Sequence, residues 1–195
     1  RFFSDLTGVA KDNVVEVTPA YEELIDEGAD YQVVLRGDPT LQASVLSTSI
    51  QTAMLIGRMM DPQGSDVSSN CFGQRVFVFT DDLDVTNRLF DSLRDAEAYS
   101  IFGKPDPLRT PLAALRSLAP NDAWRRDAEG QRWWAAERIG RNLSDRLRVG
   151  RTTSQDVGVL ANADVIVATA SLEVGYNDEQ VGAVVQHKAP RNMAS

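Results

Sequence analysis

Between Asp164 and Asp178 the chain reads Asp-Val-Ile-Val-Ala-Thr-Ala-Ser-Leu-Glu-Val-Gly-Tyr-Asn-Asp. An apolar strand, Val165-Ile166-Val167, runs directly into Thr169 and Ser171, and Glu173, Gly175, Asn177 and Asp178 follow closely. Ligands of open α/β sheets bind where the chain leaves the carboxyl end of a strand. This order of residues therefore brings hydroxyls and backbone N–H groups to that edge. A hydroxyl of Thr169 or Ser171 there can bond a phosphate, or it can cap whatever follows. Glu173 can pair with a basic side chain across a cleft, orient a neighbour, or stand as a solvated carboxylate at a helix start. Gly175 permits a tight turn.

Other segments carry chemistry of the same kind. Val149-Gly-Arg-Thr-Thr-Ser154 leads Thr152 and Thr153 to a strand exit. Gln186, His187, Lys188 and Arg191 form a polar cluster after a second apolar run. Lys188 or Arg191 can reach phosphate there, or the cluster is a surface loop. From Arg125 to Arg151 there are eight arginines and four acids, with Trp124, Trp133 and Trp134 at or beside them. Arginines interleaved with aromatics bind single strands through phosphate contacts and base stacking. The plainer reading is a helix with a solvated basic face and tryptophans in the core.

Some chemistries lack their residues. His187 is the only histidine, so a Ser-His-Asp triad or a multi-histidine metal site has too few partners. Cys71 is the single cysteine, which excludes an intrachain disulfide and any all-cysteine metal site; a reducing cytoplasm fits that usage. Gly103-Lys104 is not a P-loop, because Ala98 stands at the first glycine and Pro105 at the Ser/Thr position. No D-E-x-H box occurs.

The elements that must position these groups follow from periodicity. Tyr31-Gln-Val-Val-Leu-Arg36 reads as a strand closed by Gly37-Asp-Pro39. Leu46, Ile50, Ala53, Met54 and Gly57 recur at helical spacing, which predicts a helix over about 41–60. Val76 to Phe79 is a strand buried on both faces. Asp81, Asp82 or Asp84 caps a helix whose Val85, Leu89 and Leu93 face the core. Residues 98–130 contain four prolines and read as a partly helical insertion, with one short helix between Leu108 and Leu118. Trp133 to Arg148 reads as a helix with Ala136, Ile139 (or Gly140), Leu143 and Leu147 on one stripe. The strand–helix–strand rhythm argues for a parallel sheet.

The 195 residues carry a net charge of −8, spread unevenly: residues 1–100 hold 7 basic and 17 acidic side chains, residues 101–195 hold 13 and 11. Nucleic-acid contacts are therefore expected in the second half. No apolar run approaches the length of a membrane-crossing helix. The chain begins Arg1-Phe-Phe with no initiator Met, which reads as part of a longer protein. Residues 1–30, with a helix end before Gly8, a short strand at Val14–Val17 and an acidic stretch from Pro19 to Asp30, read as a connector from a preceding domain.

The segment Val-Ala-Thr-Ala-Ser-Leu-Glu-Val-Gly-Tyr-Asn resembles motif V of the superfamily 2 helicases, in the V-A-T-S-S-L-E-L-G-I-D form of the large helicase-related (Lhr-like) group. Val181-Gly-Ala-Val-Val-Gln-His-Lys-Ala-Pro-Arg191 is similar to the V-x-x-V-I-Q-x-x-x-P-R pattern that follows it in that group. Arg75-Val-Phe-Val-Phe-Thr-Asp-Asp82 resembles motif IV, and residues 149–154 lie where the group has His-His-Gly-Ser-Leu-Ser. The resemblance spans about Tyr31 to Ser195, and the chain stops short of the Q-R-x-G-R-x-G-R signature of motif VI. It implies an α/β fold: a three-layer parallel-sheet RecA-like domain (P-loop NTPase-type), the second of such a helicase, over 31–195. It implies that ATP and Mg are bound mainly by the first RecA-like domain of the same parent protein. This domain would supply one wall of the ATP cleft, through Gly175, Asn177 and Asp178, and part of a single-stranded DNA or RNA track. Thr80, Thr152, Thr153, Thr169, Ser171 and Lys188 would line that track, with Arg148 and Arg151 supplying charge. Glu173, Gln186 and Arg191 would couple the two sites. The group usually has Asp where this chain has Asn177. Either Asp178 does the work one residue later, or the position accepts a neutral amide. The alternative is a non-catalytic RecA-like nucleic-acid-binding or scaffold module. A free-standing Rossmann-type enzyme would need a Gly-rich turn that the chain lacks.

Overall fold

The computed structural model describes residues 8, 10–13, 15, 20, 30–37, 44–65, 67–68, 72–116, 132–153, 160–169 and 178–188. The expected features at Phe2–Gly8, Val14–Val17, Pro19–Asp30, Cys71 and 117–130 fall wholly or mainly outside them, as do Trp124, Ser171, Glu173, Gly175, Asn177 and Arg191. The chain divides into two compact units, Arg1–Val33 and Val34–Ser195. In the first, Lys11–Asn13 forms one 3-10 turn.

The second unit is an α/β domain. Among its described residues the strands are β1 (Arg75–Thr80), β2 (Val149–Thr152), β3 (Val165–Thr169) and β4 (Val181–Gln186), and the α-helices are α1 (Val45–Met59), α2 (Leu83–Ala96) and α3 (Trp134–Ile139). The strands form one sheet in the order β2-β3-β1-β4, and every pairing is parallel. The central strands are buried on both faces, as a parallel sheet requires. Val76, Val78, Val165 and Val167 join the cluster that α1, α2 and α3 complete with Ala53, Met54, Leu89, Leu93 and Ala136. Phe77, Ile166 and Ala168 form a second cluster on the opposite face.

Helix ends follow local chemistry. Ser44 caps α1 by accepting from Ser47 N–H at 3.1 Å. Of the three candidate aspartates, Asp82 caps α2, accepting from Asp84 N–H at 2.8 Å. Where α1 crosses the sheet, a Cβ on Gly57 would come within 2.7 Å of Leu147 Cδ1 and 3.0 Å of Val165 Cγ2. Glycine there lets helix and sheet approach closely. At the other end of β4, a Cβ on Gly182 would lie 1.6 Å from the Phe72 carbonyl oxygen.

Three expected elements differ. Tyr31–Arg36 forms no strand. Val34 is 97% exposed, and an extended apolar run without a ladder partner has nothing to pair its backbone. The helix expected over 133–148 is only Trp134–Ile139. Gly140 takes the left-handed conformation at φ 84° and terminates it. Leu143 and Leu147 still enter the core, from irregular chain. Between Leu108 and Leu118 the described residues form a 3-10 turn, Leu112–Arg116, entered at Pro111. Among the described residues no helix is long and apolar enough to cross a membrane.

Candidate functional site

All four strands are parallel, so their carboxyl ends share one edge. The chain leaves β1 toward the β2 side of the sheet and leaves β3 toward β4. The connections from the adjacent strands β1 and β3 thus run in opposite senses, each passing over the other strand, and such a reversal marks the switch point at which open parallel sheets hold ligands. Thr80 and Thr169 face each other across it in register. Thr152 pairs with Ala168, so Thr153 continues the row on one side. On the other side, His187 N–H donates to the Phe79 carbonyl at 2.9 Å. The row Thr153, Thr169, Thr80, His187 spans the sheet at its exit edge, and α2 begins beside it.

The groups in this row do different things. Thr80 is fully buried. Its hydroxyl bonds Thr86 Oγ1 at 2.5 Å and donates to the Asp82 carbonyl at 3.1 Å, fastening the first turn of α2 to β1. It has no surface to offer a ligand. Thr152 and Thr153 are buried, whereas Thr169 is partly exposed. Gln186 and Lys188 are exposed beyond β4, and Lys188 takes a left-handed backbone conformation at φ 66°. That turns the chain sharply after the strand at a residue with a Cβ, a conformation that needs support from its surroundings.

His187 supplies that support. It is buried, and Nδ1 shares a 2.7 Å hydrogen bond with Ser49 Oγ of α1, 138 positions away. Burial, then the neighbouring Lys188 ammonium, push the imidazole below its ordinary 6.5, against a smaller opposing pull from Asp81. The ring is therefore held neutral at physiological pH. Ser49 was missed at the sequence level. The signal available was its place one residue before Ile50 on the apolar stripe of α1, since a hydroxyl there needs a partner.

Other expected site residues lie elsewhere. Arg148 directly precedes β2 and so sits at the amino edge, opposite Thr169. Its guanidinium makes two 3.1 Å bonds to the buried Asp164 carboxylate, which also accepts from Arg148 N–H at 2.8 Å. The hydrogen bond to Asp164 raises the Arg148 pKa further. Asp178 precedes β4 and also lies at the amino edge. It pairs with Arg75 Nη1 at 2.7 Å and accepts from Gln180 N–H at 2.9 Å. It is not brought to the switch point. Arg151 lies within β2, donates to Asn87 Oδ1 at 2.8 Å, and stacks its guanidinium 5.6 Å from the Phe90 ring centre.

Sequence reasoning also missed a buried ionic cluster. Arg58 of α1 makes a bidentate pair with Glu97 at 2.7 and 2.8 Å. Arg58 further donates to the Asp145 carbonyl at 2.8 Å, and Glu97 accepts from Leu147 N–H at 2.9 Å. This cluster ties α1, the end of α2 and the approach to β2 together.

What the exit edge can do chemically is limited by its charges. It presents Asp81, Asp82 and Asp84 together with Lys188, all exposed. Among the described residues, no group of three or more His, Cys, Asp or Glu side chains is placed to hold a metal ion. The described residues suit hydrogen bonding to a polar ligand at Thr169. Comparisons with protein-family models, with curated proteins and with solved structures find no match to this chain.

Proposed function

We propose that this chain is the second RecA-like domain of an ATP-dependent superfamily 2 helicase or translocase of the Lhr-like kind. It supplies one wall of the ATP cleft and part of a single-strand track. ATP and Mg are held mainly by the first RecA-like domain of the same parent protein. The observation that carries the reading is Thr169. It lies within the motif V resemblance, ends a central strand, and stands at the β1/β3 switch point opposite Thr80. Lys188, within the second resembling segment, is an exposed cation on the same edge.

The experiment is Thr169→Ala in the full-length protein, reading nucleic-acid-stimulated ATPase and single-strand affinity. A hydrogen bond to a charged group is worth roughly 1.5–3 kcal/mol, so a loss of about tenfold or more is expected in one or both readouts, with an unchanged melt. Unchanged stimulation and affinity would remove motif V from the mechanism.

One observation favours the alternative of a non-catalytic RecA-like binding or scaffold module. Arg148 and Asp178, expected at the working edge, are bound to Asp164 and Arg75 at the opposite one. A full-length protein with no nucleic-acid-stimulated ATPase, yet normal single-strand affinity, would decide for that module.

A further inference from the structure

The tryptophans expected in the core divide into two kinds. Trp133 is partly buried, packs against the main cluster and carries the Arg116 guanidinium 5.8 Å from its ring centre. Trp134, the next residue, opens α3 and is 53% exposed. One turn on, Arg138 sets its guanidinium 5.2 Å from the Trp134 ring centre. Arg132 donates from Nε to Glu137 Oε2 at 2.9 Å. Arg132, Trp134, Glu137 and Arg138 line an open cavity of about 660 Å³. The second oxygen of Glu137, Oε1, is buried there without a hydrogen-bond partner.

These features have one chemistry in common. A large aromatic side chain left half in water offers a flat face to another ring. An arginine over part of the indole brings positive charge beside that face. A volume of this size falls in the range of small-ligand sites. A base stacked on the indole with its phosphate beside Arg138 would use the aromatic face, the charge and the volume together.

We propose that Trp134, Arg132, Glu137 and Arg138 hold one nucleotide of single-stranded nucleic acid. This platform is built on α3, which packs against α1, and it is separate from the strand-exit edge of the sheet. The choice of a nucleic-acid strand as ligand rests on the function proposed above; the platform itself rests on its own four side chains. It would give the domain a sequence-tolerant grip, because every base has a π-face.

The test uses the full 195-residue chain and its Trp134→Ala, Trp134→Phe and Thr169→Ala variants. Each is titrated with a fluorescein-labelled dC 12-mer and, separately, with dCMP, after its melt is shown to be intact. Loss of one stacking contact should weaken 12-mer binding about tenfold in Trp134→Ala, and Trp134→Phe should recover most of it. Indole fluorescence should be quenched by the 12-mer in the wild type and much less in Trp134→Phe. Equal affinity in wild type and Trp134→Ala overturns the platform, even where Thr169→Ala is weakened and the strand-exit reading survives. Weakening in Trp134→Ala alone supports the platform and counts against Thr169 as part of the track. A wild-type chain that binds dCMP as tightly as the 12-mer overturns the single-strand assignment, as does a chain that binds neither.

Discussion

His187 shows how one buried side chain shapes an exposed one. Its imidazole anchors the end of β4 to Ser49, and Lys188 turns outward immediately after it. The ring is held neutral in the fold, with a pKa below the ordinary 6.5. The unfolded chain therefore binds a proton, between the folded pKa and 6.5, that the folded chain does not. This contribution is complete above about pH 6.5 and is lost as pH falls through the folded value. Thermal melts from about pH 8 to about pH 5 should show a steeper loss of stability in the wild type than in His187→Asn. Parallel curves would mean that the ring titrates alike in both states. Among the described residues, Lys188 is an exposed cation at the exit edge. If it neutralises one phosphate, Lys188→Glu should reduce the salt slope of single-strand binding by about 0.7 or more. An unchanged slope would leave Lys188 as a solvated turn residue. Arg58 cannot serve as an indifferent surface control in such a comparison, because it is buried in its pair with Glu97.

Among the elements, the Arg58–Glu97 cluster decides how α1 and α2 meet. Glu97 answers two guanidinium nitrogens and the Leu147 N–H from a fully buried position. Removing one partner of such a pair leaves an uncompensated buried charge and costs about 3–5 kcal/mol. Glu97→Ala should therefore lower the denaturation midpoint severely. Replacing both partners by apolar residues relieves the charge but leaves Leu147 N–H and the Asp145 carbonyl without their partners. The double variant Arg58→Met/Glu97→Leu should accordingly recover much of the loss yet stay about 1–3 kcal/mol below the wild type. Full recovery in denaturant unfolding would show that those two backbone groups find other partners. The chain between α3 and β2 depends on this cluster as well, since it has no helix of its own beyond Gly140.

For the whole molecule, the proposed role is half of a site. The chain has neither a P-loop nor a D-E-x-H box, and the described residues of its exit edge include threonines, aspartates and the exposed Lys188. The purified chain should therefore show no ATP turnover above background, with or without single-stranded DNA or RNA. Clear turnover that disappears in Thr169→Ala would sink the idea that the partner domain supplies the phosphate and metal groups. The acidic first hundred residues and the more basic remainder also lead to a whole-molecule expectation. On the proposed reading, strand contacts are expected in the second half, at Lys188 and Thr169 on the sheet edge and at Trp134 on α3.

The sequence by itself determined the local elements and one edge. Val76–Phe79, Val165–Val167 and the apolar spacing of α1 and α2 are patterns of neighbouring residues, and each became the element expected. A parallel sheet puts every strand exit on one side, so Thr152, Thr153, Thr169 and Lys188 were legible as a group. By the same rule, residues just before a strand lie at the opposite edge. Arg148 and Asp178 precede β2 and β4, and a helix read through Gly140 concealed this for Arg148. Only the tertiary structure decided the strand order β2-β3-β1-β4 and that Tyr31–Arg36 joins none of the described strands. It alone joined Ser49 to His187, Arg58 to Glu97, and Trp134 to Arg138 while sending Trp133 inward. Those outcomes depend on which distant surfaces meet. Burial, desolvation and hydrogen-bond satisfaction act between elements, and no periodicity within one element encodes its partner.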